Sequence, residues 1–278
     1  MSEVDDHRIA AEVATEAGVL LLAIRAELAG ADSKVLRDEG DRRSHELISS
    51  LLAQRCPADA VLSEEAADDA RRLAHNRVWI VDPLDGTREF SEPPRSDWAV
   101  HVALWTRDGA GADGRLSAGA VALPGLGVTL GTGVAPVPAP PVEGGAGPIR
   151  LMVSRTRPPE LVNHLTEMLG AVLVPMGSAG AKAMAVVRGE ADAYVHAGGQ
   201  YEWDSAAPTA VAAASGLHTS RIDGSPLLYN RTDPLLPDLV ICRPEVASVL
   251  LDAIATIRAN ATISQADAGA GPEGVSTT

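Results

Sequence analysis

The feature that most constrains this chain is the run at residues 79–90, Trp-Ile-Val-Asp-Pro-Leu-Asp-Gly-Thr-Arg-Glu-Phe. Residues 78–81 form a short apolar run, long enough for a buried strand. Pro83 has no amide hydrogen and biases Asp82 away from helix, so the strand is expected to end there. Asp82 and Asp85 then share one tight turn. Two carboxylates that close repel each other unless a cation lies between them. Gly86 lets the backbone approach a ligand, and the amides of Gly86 and Thr87 are placed to meet an anion. Asp-Gly alone is an ordinary turn dipeptide. The complete Asp-Pro-Leu-Asp-Gly-Thr run directly after a strand is far more specific.

Composition narrows the function classes. With 278 residues the chain can bury a full core as one large domain or two modest ones. A formal charge of -14 argues against a nucleic-acid polymer as partner. A small phosphorylated substrate stays open, because bound cations reverse the local field. Cys56 and Cys242 lack Cys-x-x-Cys spacing, which speaks against a zinc site or a disulfide framework. The acidic start, Met-Ser-Glu-Val-Asp-Asp, is unlike a signal peptide, and no apolar run approaches membrane-spanning length. A cytoplasmic protein without membrane contact is expected. Lysine occurs only at Lys34 and Lys182.

Taken in order, residues 4–29 predict one long helix, with Ile9, Val13, Ala17, Leu20, Leu21, Ile24 and Leu28 at helical spacing and Gly30 as its stop. Residues 31–42 read as polar and irregular. A second helix is expected to follow, with Leu47, Ile48, Leu51 and Leu52 on its apolar side and Asp41 where an N-cap would stand. Residues 61–65 suggest a short strand ending in Glu64 and Glu65, ahead of a helix from Ala66 to Leu73. Residues 98–105, 118–123 and 127–131 read as strands, the last two split by Pro124-Gly125. His101 reads as a strand residue without a catalytic partner. Residues 132–149, rich in Pro and Gly, form the clearest linker, with a domain boundary near 148. The second half alternates strand and helix, which argues an α/β layer arrangement. Its Asp204 stands where an N-cap would open an Ala-rich helix. Residues 263–278 read as a disordered tail.

Together, Asp-Pro-Leu-Asp-Gly-Thr and Trp203-Asp204-Ser205-Ala206-Ala207 resemble the two metal motifs of the lithium-sensitive, Mg2+-dependent phosphatase superfamily. That group includes inositol monophosphatases, 3'(2'),5'-bisphosphate nucleotidases and fructose-1,6-bisphosphatases. The motifs stand in the family's order, more than one hundred residues apart, and the resemblance covers residues 1 to about 262. It implies a layered αβαβα sandwich, of α/β (α+β) class. Residues 1–148 would carry Glu64 and the first motif, and 149–262 the second. Pro208 replaces a residue that is often Gly in the family and is expected to sit harmlessly in a first helical turn.

The resemblance also implies the site. Glu64, Asp82, Asp85, Asp204 and the Leu84 carbonyl would hold two or three Mg2+ ions; all are oxygen donors, which suits a hard cation. Thr87 and Asp41 would orient and help deprotonate the attacking water. The Gly86 and Thr87 amides would hold phosphate oxygens. Gly177, Ser178 and Lys182 resemble the Gly-Ser…Lys segment that meets nucleotide in the bisphosphate nucleotidases, including the bacterial CysQ branch, although a Gly-rich turn with an exposed lysine reads equally well locally. His196 stands where inositol monophosphatases tend to carry a Glu. Ser154-Arg155-Thr156-Arg157 resembles a nucleotidase Ser-Arg-Ser-His segment, with Arg157 in place of His. The implied activity is hydrolysis of 3'-phosphoadenosine 5'-phosphate. A broader inositol- or sugar-phosphate phosphatase and an inactive phosphate-binding protein remain as alternatives, and a homodimer is left open.

Overall fold

The computed structural model describes residues 3–107, 113–134, 147–156 and 158–269. Two helices, α1 (Glu3–Glu27) and α2 (Ser33–Arg55), precede the first sheet. That sheet contains β1 (Ala60–Ser63), β2 (Arg77–Asp85), β3 (Ala99–Thr106), β4 (Arg115–Leu123) and β5 (Val128–Gly131), in the order β1-β2-β3-β4-β5. Its β1–β2 pair is parallel and the rest are antiparallel. A one-turn helix, α3 (Thr87–Phe90), follows β2. The second sheet runs β7-β6-β8-β10-β9. Its strands are β6 (Arg150–Ser154), β7 (Val172–Met176), β8 (Ala193–Tyr201), β9 (His218–Ser220) and β10 (Leu235–Cys242). Its helices are α4 (Glu160–Leu169), α5 (Ala179–Val187), α6 (Glu202–Ala214) and α7 (Pro244–Gly269).

The layers follow from which faces are apolar. On β2, Trp79 and Val81 face α1 and α2, where they meet Leu21, Ile24, Ile48 and Leu52. Val78 and Ile80 point the other way, toward Met184, Val186 and Val211 of α5 and α6. A strand buried on both faces needs a continuous apolar run rather than alternation. The α5–α6 layer also packs on Met152, Tyr194 and Ile241 of the second sheet. Val162, Leu165, Leu250 and Ile254 of α4 and α7 cover that sheet's outer face. The result is an αβαβα sandwich, with one helical pair between two sheets. Cys56 and Cys242 are buried and free.

Several local expectations are corrected. Residues 33–42 are helical: α2 starts at Ser33, and Asp32 is its N-cap, accepting from the Lys34 amide at 2.8 Å. Asp41 therefore caps nothing. Its neighbour Gly40 belongs to a buried row with Leu36, Ser44, Ile48 and Leu52, at four-residue spacing. A Cβ at Gly40 would lie 2.8 Å from the Phe90 ring, so glycine there serves close packing of α2 on α3. The expected helix over 66–73 is instead a loop with one 3-10 turn, Ala70–Ala74. The buried Arg72 side chain ties this loop to Asp68, Asn230 and the Arg231 carbonyl.

Strand β2 does not stop at Pro83. It runs to Asp85 through a register shift against β3, in which Asp82 pairs with His101 and Asp85 with Ala99. The extra residue lets Pro83, which has no amide hydrogen, lie in the strand without breaking a ladder bond. Pro208 lies in the second turn of α6 rather than the first, with no amide to offer the Asp204 carbonyl. Helix α7 continues through residues 263–269, which composition alone assigns to the tail; alanines at 259, 261, 266 and 268 favour helix there. Residues 270–278 lie outside the described residues, as do 135–146 of the linker and Arg157.

Candidate active site

The bulge in β2 and the turn after it bring the acids together. Asp82 is buried at the end of the paired strand. Its Oδ1 accepts from the Leu84 amide at 3.0 Å, which curls the chain back. Gly86 then takes a φ of +86°, and a side chain there would crowd Ser178 and the Asp97 carbonyl. That residue opens α3, whose first hydroxyl, on Thr87, donates to the Leu84 carbonyl at 3.2 Å. From the other half, Asp204 sits in the first turn of α6 and accepts from the Tyr201 amide at 2.6 Å. Oxygens of Asp82, Asp85 and Asp204 lie within 4.8 Å of one another.

Glu64 stands at the edge of this group, just past β1, with its amide bonded to the Val81 carbonyl. It is accessible as a residue, yet its carboxyl is close enough to Asp82, Asp85 and Asp204 to feel their charge. Asp41, from the third turn of α2, reaches the same region beside Thr87.

The electrostatics divide these acids into two kinds. Burial, with the charge of Asp204 added, pushes Glu64 up to about 7. Burial and Asp85 push Asp204 up to about 6. Burial, with Glu65 and Glu64, pushes Asp41 up to about 7. Burial and Glu64 also hold Asp82 well above the usual carboxylate range. Asp85 is the exception. Burial alone would raise it, but the charge of His101 3.1 Å away, the charge of Lys182 and the Ser178 hydroxyl hold it below the ordinary range.

That contrast reflects where hydrogen-bond donors are placed. Asp85 accepts from the Ser178 hydroxyl at 2.5 Å, the Gly180 amide at 2.6 Å and the Ala179 amide at 3.1 Å. All three donors come from the start of α5, in the other half of the chain. His101 lies fully buried on β3, with Nε2 3.1 Å from Asp85 Oδ2 and Nδ1 3.0 Å from the Trp203 carbonyl. The expectation that His101 lacks a partner in the site is thereby corrected. Its signal is a histidine inside an apolar strand next to the strand bearing the acids, a place where an unpartnered imidazole is costly. Asp82 and Asp204 have fewer donors, one backbone amide each from Leu84 and Tyr201. A cluster of oxygen donors with excess negative charge is what a hard divalent cation fits.

A pocket of ≈ 240 Å³ adjoins the cluster, lined by the cations Arg88, Arg155 and Lys182, the acid Glu89, and residues that include Gly86, Thr87, Ser154, Gly177 and Ser178. The Lys182 side chain is 5% exposed, not a surface lysine. Its Nζ donates to the Ser178 carbonyl at 2.7 Å and the Gly177 carbonyl at 3.4 Å, and lies 5.2 Å over the Tyr194 ring. Burial lowers its pKa against the pull of Asp85 and Glu89. His196 stands on β8, with Nε2 3.0 Å from the Gly199 carbonyl.

Comparison with known proteins agrees with the fold. The inositol monophosphatase family model matches residues 4–260. A protein of Mycobacterium leprae named 3'-phosphoadenosine 5'-phosphate phosphatase is 53% identical over 257 residues, covering 91% of this chain and 94% of its own. The 3'(2'),5'-bisphosphate nucleotidase CysQ of Escherichia coli K12 is 30% identical over 206 residues, 70% of this chain and 80% of its own. Among solved structures, CysQ of Bacteroides thetaiotaomicron superposes with a TM-score of 0.68 at 26% identity, over 86% of this chain and 97% of its own. Inositol monophosphatase II of Staphylococcus aureus shares the fold at a TM-score of 0.70 and 18% identity, over 87% of this chain and 94% of its own. The chain belongs to the inositol monophosphatase family.

Proposed function

We propose that the protein is a Mg2+-dependent phosphatase that hydrolyses 3'-phosphoadenosine 5'-phosphate to AMP and phosphate. The observation that carries this reading is the pairing of an acid cluster with a basic pocket across one turn. Gly86, Thr87 and Ser178 line the pocket, and Ser178 also bonds Asp85 of the cluster. A substrate with a scissile phosphate at the acids and a second phosphate in the pocket matches that pairing. The name of the Mycobacterium leprae relative supports the same substrate.

Glu64, Asp82, Asp85, Asp204 and the Leu84 carbonyl would hold Mg2+. Bound there, Mg2+ supplies charge that neutralises the phosphoryl oxygens and leaving alkoxide and acidifies a water. The chain's own groups do the rest. The amides of Gly86 and Thr87 receive phosphate oxygens at the positive-φ turn. Thr87 Oγ1 and the Asp41 carboxyl, which lie side by side, orient the attacking water. Asp41, with a pKa of about 7, accepts the proton that the water releases. In-line attack by that water needs no covalent phosphoenzyme. Gly177, Ser178 and Lys182 shape the wall that faces the remainder of the substrate.

Phosphate release from 3'-phosphoadenosine 5'-phosphate, inositol 1-phosphate and fructose 1,6-bisphosphate, each with Mg2+ and with EDTA, tests the reading. The expected result is Mg2+-dependent turnover with the highest kcat/KM on the nucleotide bisphosphate. Higher kcat/KM on inositol 1-phosphate would make the enzyme an inositol phosphatase, and no release from any substrate would make it a binding protein.

A further inference from the structure

Lys182 is not the only cation beside the site, and its ammonium is already occupied. Two backbone carbonyls and the face of Tyr194 surround it, and it is almost wholly buried. Direct contact with a ligand phosphate would require it to leave those carbonyls. Arg155 also lines the pocket, but Glu89 accepts from its Nη2 at 2.8 Å and Glu92 accepts from the same nitrogen at 3.0 Å. Arg88 differs from both. It lines the same pocket, is exposed, and makes no ion pair or side-chain hydrogen bond among the described residues. Only Gly86 and Thr87 separate it in sequence from Asp85.

Resting on the proposed hydrolysis of a nucleoside bisphosphate, we infer that Arg88 is the specificity-determining cation of this site. Its guanidinium binds the phosphate that is not cleaved, the 5'-phosphate of the substrate and of the AMP product. A guanidinium suits that role because it presents a planar fork of donors that matches phosphate oxygens, and it sheds water more easily than an ammonium. Glu89 in the pocket wall and Glu92 next to it make the match selective, because together they leave Arg155 no net charge to offer. Lys182 then acts on the ligand through the Ser178 loop that it braces.

The experiment compares 3'-phosphoadenosine 5'-phosphate with adenosine 3'-monophosphate, which has the same base and scissile phosphate but no 5'-phosphate. In the wild type, kcat/KM should favour the bisphosphate. Arg88→Met should cut that preference by roughly ten- to a hundredfold, the size of a lost charge-assisted hydrogen bond. It should raise the inhibition constant of 5'-AMP by a similar factor, while Arg88→Lys recovers part of both. Lys182→Met should lower kcat/KM on the two substrates by similar factors. An unchanged preference in Arg88→Met, or equal losses on both substrates, overturns the inference, as does a selective loss in Lys182→Met alone. The exposure of Arg88 makes misfolding of its variants a poor explanation, and circular dichroism checks it. A wild type that fails to hydrolyse the bisphosphate at all sinks the proposed function instead, so the two failures are distinguishable.

Discussion

Asp204→Asn should make the metal-free protein more stable while weakening its response to Mg2+. Asp204 has its pKa raised from an ordinary 3.8 to about 6, first by burial and then by Asp85. A raised carboxyl binds its proton more tightly in the folded chain than in the unfolded one. Its contribution therefore falls as pH rises from about 4 to about 6, and above that the full penalty of ionising it is present. The difference between the two values corresponds to about 3 kcal/mol. Asparagine keeps an oxygen for the Tyr201 amide but carries no charge. Loss of an acid from the first turn of α6 takes back part of the gain, about 0.3–1 kcal/mol. A net gain of about 2 kcal/mol at pH 8 in EDTA corresponds to a melting-temperature rise of roughly 4–8 °C for a chain near this size. At pH 4, where wild-type Asp204 is largely protonated, the two proteins should melt close together. Saturating Mg2+ should raise the wild type by about 3 kcal/mol at one hundred times Kd, and the variant by less. Melting in EDTA and in Mg2+ at both pH values is the assay. A variant no more stable than wild type in EDTA at pH 8 would refute the claim that Asp204 carries excess negative charge, and an equal Mg2+ response would refute its place among the ligands.

Other outcomes follow from the same geometry. Asp85→Asn should fold but lose nearly all turnover, because an amide cannot replace a charged carboxylate in the proposed ligand set; near-native turnover at saturating Mg2+ would remove Asp85 from that set. Thr87→Val should lower kcat by about a hundredfold or more with little change in KM, measured on the nucleotide bisphosphate, since it deletes the hydroxyl between the Leu84 carbonyl and Asp41. Gly40→Ala should destabilise the fold by about 1–3 kcal/mol in denaturant melts, because its methyl would meet the Phe90 ring at 2.8 Å; an unchanged midpoint would mean that α2 and α3 do not pack as described.

Legibility in the sequence depends on whether a signal is local. The acids of the first turn can be read because Asp82, Asp85, Gly86 and Thr87 are adjacent and their spacing is set by one strand end. The central strands can be read because burial on both faces writes a continuous apolar run at 78–81. By contrast, residues 31–42 look irregular because the only apolar side chains of that turn, Val35 and Leu36, are outnumbered by charge, and Gly40 mimics a loop residue while serving as a packing contact. His101 is invisible as a site residue because its partners, Asp85 and the Trp203 carbonyl, lie on other elements. The burial of Lys182 cannot be foreseen either, since a lysine after Gly-rich sequence offers no local reason to turn inward. Strand β9, only His218–Ser220, has no apolar alternation to announce it.

The compensation of Asp85 also explains why the two halves of the chain must be in register for the site to exist. Asp82 and Asp85 belong to the first sheet, yet Asp85 is held by the Ser178 hydroxyl and the amides at the start of α5. Asp204 belongs to α6, yet the carbonyl beside it, that of Trp203, is fixed by His101 of the first sheet. Each half therefore positions an acid of the other. These links run through the α5–α6 layer, which shares one core with both sheets. A shift of that layer would misplace Asp204 and strip Asp85 of its donors at the same time. It would also move Ser178 and Lys182 against Arg88, since α5 forms one wall of the pocket and α3 the other. The geometry that assembles the acids and the geometry that would select a second phosphate are thus set by the same packed helices. A substitution in that layer should disturb turnover and selectivity together, whereas one at Arg88 should disturb selectivity first.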